Sequence, residues 1–284
     1  MRIGIHQHVF THKITKDNLD ILNMISDMGF SSVDVNIRVI DIELAKKIKK
    51  RAKKLNLNIV GGGSIPRDKM LLSDNAEDRH EAITYMKSLI NIVDALGSQY
   101  YSGLISAPSG YFTGKGPTKK ELEYSTNGLK EVAIYAKKYG INLCIEPVNR
   151  YESYLINTIE SALELLKNID ESNVGLLIDT YHMNIEEKNF RDPILKAGEK
   201  IFLVHVNEND RGTPGEGHVN WDEVFIALKE IGYNNFVTIE SFANTGVDIS
   251  RLVAIWRQLA PSPEYLAKEG FKFISSMLKK YELN

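Results

Sequence analysis

Four short apolar runs in the C-terminal half of the chain each close on one ionisable residue. They read Ile141-Asn-Leu-Cys-Ile-Glu146, Val174-Gly-Leu-Leu-Ile-Asp179, Ile201-Phe-Leu-Val-His205 and Phe236-Val-Thr-Ile-Glu240. A run of this length, rich in β-branched residues, is the pattern of a parallel strand buried on both faces. Placing an acid or imidazole at its last position turns that group into a shared pocket. Three carboxylates and an imidazole at one point repel or protonate unless a divalent cation sits among them. The pattern therefore predicts a mononuclear metal site.

The rest of the chain repeats the same alternation. Strand-like segments begin near Arg2, Ser32, Asn56, Gln99, Ile141, Val174, Ile201 and Phe236. Amphipathic stretches separate them: 18–28, 42–55, 76–96, 119–139, 158–169, 192–199, 221–231 and 263–281. Eight strand–helix units in unbroken alternation predict a (β/α)8 TIM barrel, a single α/β domain over residues 1–284. Gly29, Gly140 and Gly232 follow periodic runs where a left-handed cap is wanted, while Asn157-Thr158 and Asn220-Trp221-Asp-Glu223 read as helix starts. An open doubly wound sheet would want a glycine-rich phosphate turn after the first strand, and Ile5-His-Gln-His-Val9 is not one.

Composition narrows the function. With 43% hydrophobic and 25% charged residues, 284 residues can build one substantial core. A net charge of -2, without a basic block beyond the helical Lys46 to Lys54 face, gives no electrostatic case for nucleic acid. No apolar stretch is long enough to cross a bilayer, and the N-terminus enters a strand without signal-peptide architecture, so the chain reads as soluble and cytoplasmic. Cys144, the single cysteine, lies mid-strand and reads as a small core residue.

Barrel enzymes place their chemistry at the C-terminal ends of the strands, where the four closing residues fall. A single rim glutamate reads equally well as the partner of a helix arginine or lysine. Two of them, Glu146 and Glu240, with Asp179 and His205 at equivalent positions, read as metal ligands. Carboxylate-rich ligation with one imidazole suits Mn2+ or Mg2+, with Co2+ as a third candidate. The following loops bring in Glu152 after strand five, His182 after strand six and Arg211 after strand seven. Taken singly, Arg211 fits a surface ion pair and His182 a satisfied loop histidine; together they read as a functional set.

These residues also resemble a family. The segments Glu146-Pro-x-Asn-Arg-Tyr-Glu152, Asn157-Thr158, Asp179-Thr-Tyr-His-Met-Asn-Ile-Glu-Glu187 and His205-x-x-Glu-Asn-Asp-Arg211 resemble the ketose 3-epimerases of D-tagatose and D-psicose type, within the xylose-isomerase-like barrels. The late segments Ile255-Trp-Arg and Leu266-Ala-x-Glu-Gly-Phe271 share that likeness. The resemblance implies that Glu146, Asp179, His205 and Glu240 hold one Mn2+ or Mg2+, and that Glu152, His182 and Arg211 contact the sugar near O1 to O3. It also implies a homodimer or homotetramer acting on a small ketose.

Epimerising carbon 3 requires a proton to leave one face of the sugar and return on the other. Glu146 and Glu240 are the expected acid–base pair, with Arg211 and the N–H of His182 as donors to charge developing on O2. In the N-terminal half, His6 is a candidate pocket wall, and strand alternation points only one of His6 and His8 inward. Gly61-Gly62-Gly63-Ser64 is expected to bend the rim or admit a ligand, because no helix with a lysine starts there to make a phosphate cradle. The 106–117 segment is expected to cover the pocket. Other readings on the same barrel are an aldose–ketose isomerase, an inosose-type dehydratase and a non-enzymatic sugar binder. A multi-zinc abasic-site nuclease would need extra metal ligands on the second, third and fourth strands and a basic face, but Asp34, the Gly61 run and Tyr100-Tyr-Ser-Gly103 supply no histidine pair and the net charge is slightly acidic.

Overall fold

The computed structural model describes residues 1–242 and 253–283. Eight parallel strands follow one another in sequence order around a closed barrel. They are β1 (Arg2–His6), β2 (Ser32–Asn36), β3 (Asn58–Gly62), β4 (Tyr100–Gly103), β5 (Asn142–Ile145), β6 (Val174–Asp179), β7 (Ile201–His205) and β8 (Phe236–Ile239). Pairing of Arg2 with Phe236 through Ile5 with Ile239 joins β8 to β1, so no strand edge is left open. The expected fold class is the observed one, with β3, β4 and β5 starting one or two residues later than the sequence suggested.

The helices are α1 (Ile21–Asp27), α2 (Ile42–Lys54), α3 (Ala76–Leu96), α4 (Lys119–Lys137), α5 (Ile159–Ile169), α6 (Thr180–Glu186), α7 (Arg191–Ala197), α8 (Trp221–Glu230) and α9 (Pro263–Lys280). Their ends follow the punctuation in the sequence. Thr158 caps α5 by accepting from the Ser161 N–H, and Asn220 caps α8 by accepting from the Glu223 N–H. Gly29, Gly140 and Gly232 sit at φ +94°, +66° and +68°, where a Cβ would be strained. Helix α6 departs from the sequence expectation of a loop after β6. Asp179 Oδ1 accepts from the Tyr181 N–H at 2.7 Å, and that cap starts a helix at once.

Two apolar layers hold the barrel. Outward-facing strand residues such as Ile5, Val33, Val35 and Ile145 pack against the helices, and each fully buried aliphatic side chain contributes about 1.5–3 kcal/mol. Inside, Val60, Cys144, Leu177, Leu203 and Phe236 form a separate plug, which confirms Cys144 as a core residue. Two residues further along β5, β6 and β7, the same interior face presents Glu146, Asp179 and His205. Strand periodicity thus places the ionisable residues directly beyond an apolar floor. No helix among the described residues is long and apolar enough to cross a membrane.

Candidate active site

Asp179, His205 and Glu240 bring ligand-type atoms within 4.8 Å of one another, and Glu146, Asp179 and His182 do the same. Asp179 belongs to both groups, so the four strand-end residues expected from the sequence converge. His205 Nδ1 stands 3.9 Å from Asp179 Oδ2 and 3.8 Å from Glu240 Oε1. Glu146 Oε1 lies 3.6 Å from His182 Nε2. All five side chains are buried.

The protonation of this cluster shows what it is built for. Burial, followed by the Glu240 charge, pushes the Asp179 carboxyl up to about 7. The same two causes hold the Glu146 carboxyl well above its ordinary range. Burial disfavours the His205 imidazolium, but the Asp34 hydrogen bond and the Glu240, Asp34 and Glu146 charges outweigh it and raise the ring to about 10. Without a metal, the group must therefore store protons.

A divalent cation fits the same atoms. Asp34 Oδ2 lies 3.2 Å from His205 Nε2, so in the neutral ring the proton belongs on Nε2, and Nδ1, once its own proton leaves, turns a lone pair to Asp179 and Glu240. Nδ1 of His205 and Oε2 of Glu240 are buried with no hydrogen-bond partner. A lone pair aimed at two carboxylates, with orphaned atoms beside it, is a ligand set for a cation.

His182, Arg211 and Glu152 form the adjoining wall. The backbone N–H of Asn149 donates to His182 Nδ1 at 3.0 Å, which leaves the proton of the neutral ring on Nε2. Burial, then the Arg211 and His205 charges, push this imidazole well below its ordinary pKa and keep it neutral. Arg211 Nη2 lies 3.2 Å from His182 Nε2, so the guanidinium and the ring edge sit side by side. Arg211 Nη1 donates to Glu152 Oε1 at 3.3 Å, Nη2 approaches Glu240 Oε2 at 3.6 Å, and the guanidinium stacks over Tyr181 at 4.2 Å. The residue itself sits at φ +60°, held by Ser241 Oγ donating to its carbonyl and by its own N–H on the Glu208 carbonyl. A side chain bearing that left-handed backbone costs about 1–2 kcal/mol, a strain common at functional positions.

A cavity of about 470 Å³ opens over this cluster. Both His6 and His8 line it, which corrects the expectation of only one. Strand β1 ends at His6 and turns into a single 3-10 turn over Gln7–Val9, so strict alternation no longer applies to His8. His6 Nδ1 accepts from the His8 N–H at 3.2 Å, and burial, with the His205 and Arg211 charges, lowers its ring to about 3. Of the 106–117 segment, Ser109 and Gly110 reach the cavity. Tyr111 and Phe112 lean instead on Tyr154, with ring centroids 6.3 and 6.5 Å away.

Three supporting residues were not singled out from the sequence. Asp34 orients His205, and its position in Ser32-Val-Asp-Val-Asn36, at even spacing inside an apolar strand, was the available signal. Asn207 donates to Asp179 Oδ2 at 2.7 Å and accepts the Glu240 N–H at 2.8 Å, tying two residues of the cluster together. Asn149 sets the tautomer of His182. Asn149 stands within the Glu146 to Glu152 motif, but its partner is far off in sequence, and Asn207 likewise acts across separate strands.

Comparison with known proteins agrees with this geometry. Residues 22–277 match the model of the xylose isomerase-like TIM barrel family. A probable ketose 3-epimerase of Synechocystis is 30% identical over 274 residues, covering 96% of each chain. The D-psicose 3-epimerase of Agrobacterium fabrum is 31% identical over 268 residues, 92% of this chain and 91% of its own. A solved L-ribulose 3-epimerase superposes with a TM-score of 0.93 at 31% identity, over 99% of this chain and 95% of that one. The chain belongs to the xylose isomerase-like TIM barrel family, among its ketose 3-epimerases.

Proposed function

We propose that this protein is a metal-dependent ketose 3-epimerase, interconverting C3 epimers of ketohexoses and ketopentoses, the free sugars included. The observation that carries this reading is the convergence of Glu146, Asp179, His205 and Glu240 beside a donor pair, His182 and Arg211. Asp179, His205, Glu146 and Glu240 would hold one Mn2+ or Mg2+, which when bound withdraws charge from the substrate oxygens and favours loss of the C3 proton.

The residues of the chain do the rest. Glu146 and Glu240 close different staves of the barrel, β5 and β8, and serve as the two proton carriers. One takes the C3 proton; the other returns a proton to the opposite face of the planar enediolate, and the roles exchange in reverse. Nε2–H of His182 and the Arg211 guanidinium donate to the oxyanion developing on O2. Glu152, paired with Arg211, fixes that guanidinium and accepts from a sugar hydroxyl. His6 forms the wall beneath the sugar.

The test is a screen of ketohexoses and ketopentoses with Mn2+, repeated with a chelator, with products separated by chromatography. Epimers at C3 that vanish with chelation support the reading. In deuterated water the label must enter C3; entry at C1 or C2 identifies an aldose–ketose isomerase instead.

A further inference from the structure

The cavity is electrostatically divided. Its carboxylates Glu146, Glu152 and Glu240 come from β5, β8 and the loop after β5, on the metal side. The opposite wall, built by β2, β3, β4 and the segments after them, contributes Arg38, Arg67, Ser64 and Ser109. The carboxylate those strands turn to the cavity is Asp34, already engaged by His205 and Thr238. Two guanidiniums thus face the cavity from a wall with no free acid among the described residues.

Arg38 packs its stem against the end of β3 and keeps an exposed head. An added Cβ on Gly63 would meet its Cγ at 3.1 Å, so the arginine stem lies on the bare backbone at the end of β3. Its Nη1 donates to Ser64 Oγ at 3.4 Å. Arg67 makes no hydrogen bond or ion pair among the described residues, although it lines the cavity. Two guanidiniums without a carboxylate partner among the described residues, with Ser64 and Ser109 on the same wall, raise the local potential and match the oxygens of a phosphoryl group.

We propose that this wall is an anion subsite and that the preferred substrate is a ketose phosphorylated on its terminal carbon. The inference rests on the epimerase reading for its orientation: C2 and C3 lie over the strand-end ligands, so the far end of the sugar extends toward β2–β4. A phosphoryl dianion suits two guanidiniums and two hydroxyls better than a carboxylate does.

With the Mn2+-loaded protein, kcat/KM for C3 epimerisation of D-fructose 6-phosphate should exceed that for D-fructose by roughly tenfold or more, mainly through KM. In Arg38→Ala/Arg67→Ala, checked for an unchanged Tm, the ratio of the two kcat/KM values should fall by about tenfold. A wild-type ratio near one, or a ratio that the double variant leaves unchanged, overturns the subsite. A gain with D-fructuronate equal to or larger than that with the phosphate overturns the phosphoryl assignment. If no ketose is turned over, the epimerase reading fails on its own, and calorimetry still decides the subsite. Tighter binding of D-glucitol 6-phosphate than of D-glucitol, lost in the double variant, supports it; equal Kd values overturn it.

Discussion

Asp34 Oδ2 lies 3.2 Å from His205 Nε2, a contact between β2 and β7 across the barrel interior. The buried carboxylate fixes the ring so that Nδ1 faces Asp179 and Glu240. Asp34→Asn keeps the shape but removes the charge that holds the proton on Nε2. It should weaken Mn2+ binding by about 10–100-fold, the usual effect of losing the outer partner of a ligating histidine. A Mn2+ titration followed by calorimetry measures it, and wild-type affinity in the variant would refute the orienting role.

Glu146→Gln and Glu240→Gln each remove a proposed proton carrier while preserving volume. Each should lower kcat by about 100-fold or more, since general acid–base groups contribute at least that much. Stopped assays on the best ketose from the screen measure this. Wild-type rates in both variants would exclude the two-glutamate scheme.

Metal binding should release protons. In the metal-free protein His205 titrates near 10, Asp179 near 7, and Glu146 well above the usual carboxylate range. At pH 7 these ligands carry protons that a cation must displace, so affinity rises with pH from 7 towards 10 as the competing protons leave. Calorimetry in buffers of different ionisation enthalpy should return more than one proton released per Mn2+ at pH 7. A pH-independent affinity over that window would contradict the protonation scheme.

Arg211→Lys keeps the charge and loses the fork that spans Glu152, Glu240 and the His182 edge. The expected loss in kcat is about 100-fold, the size seen when an oxyanion donor is removed. A change confined to KM would instead assign Arg211 to ground-state binding.

Glu208 organises the loop that carries Arg211. Buried at 1% exposure, it accepts the Trp221 indole N–H and the Gly215 N–H, both at 2.8 Å, and the Val219 N–H at 3.3 Å. Glu208→Ala leaves these donors unsatisfied and should destabilise the protein by about 3 kcal/mol, read as a lowered Tm and denaturation midpoint. Unchanged midpoints would show that water replaces the carboxylate.

The barrel and its strand-end ligands were legible because both follow local rules. A period of two and a terminal acid are visible within six residues, as in Val174 to Asp179. What escaped depends on contacts far apart in sequence. Asp34 and His205 are 171 positions apart, and Asn149 meets His182 across 33. Helix α6 escaped because Asp179 was assigned one task and performs two. The inward turn of His8 escaped because a 3-10 turn replaces the strand one residue earlier than alternation assumes. Arg38 and Arg67 lie on segments with no motif, and only the closed barrel shows that they face the same cavity.

The double duty of Asp179 has a mechanical outcome. One oxygen latches the first turn of α6, while the other meets Asn207 near the cation ligands. His182 rides on that same turn. A shift of this carboxylate would carry the His182 ring with it, so under the proposed function loading the ion and aiming the ring would be one motion, not two.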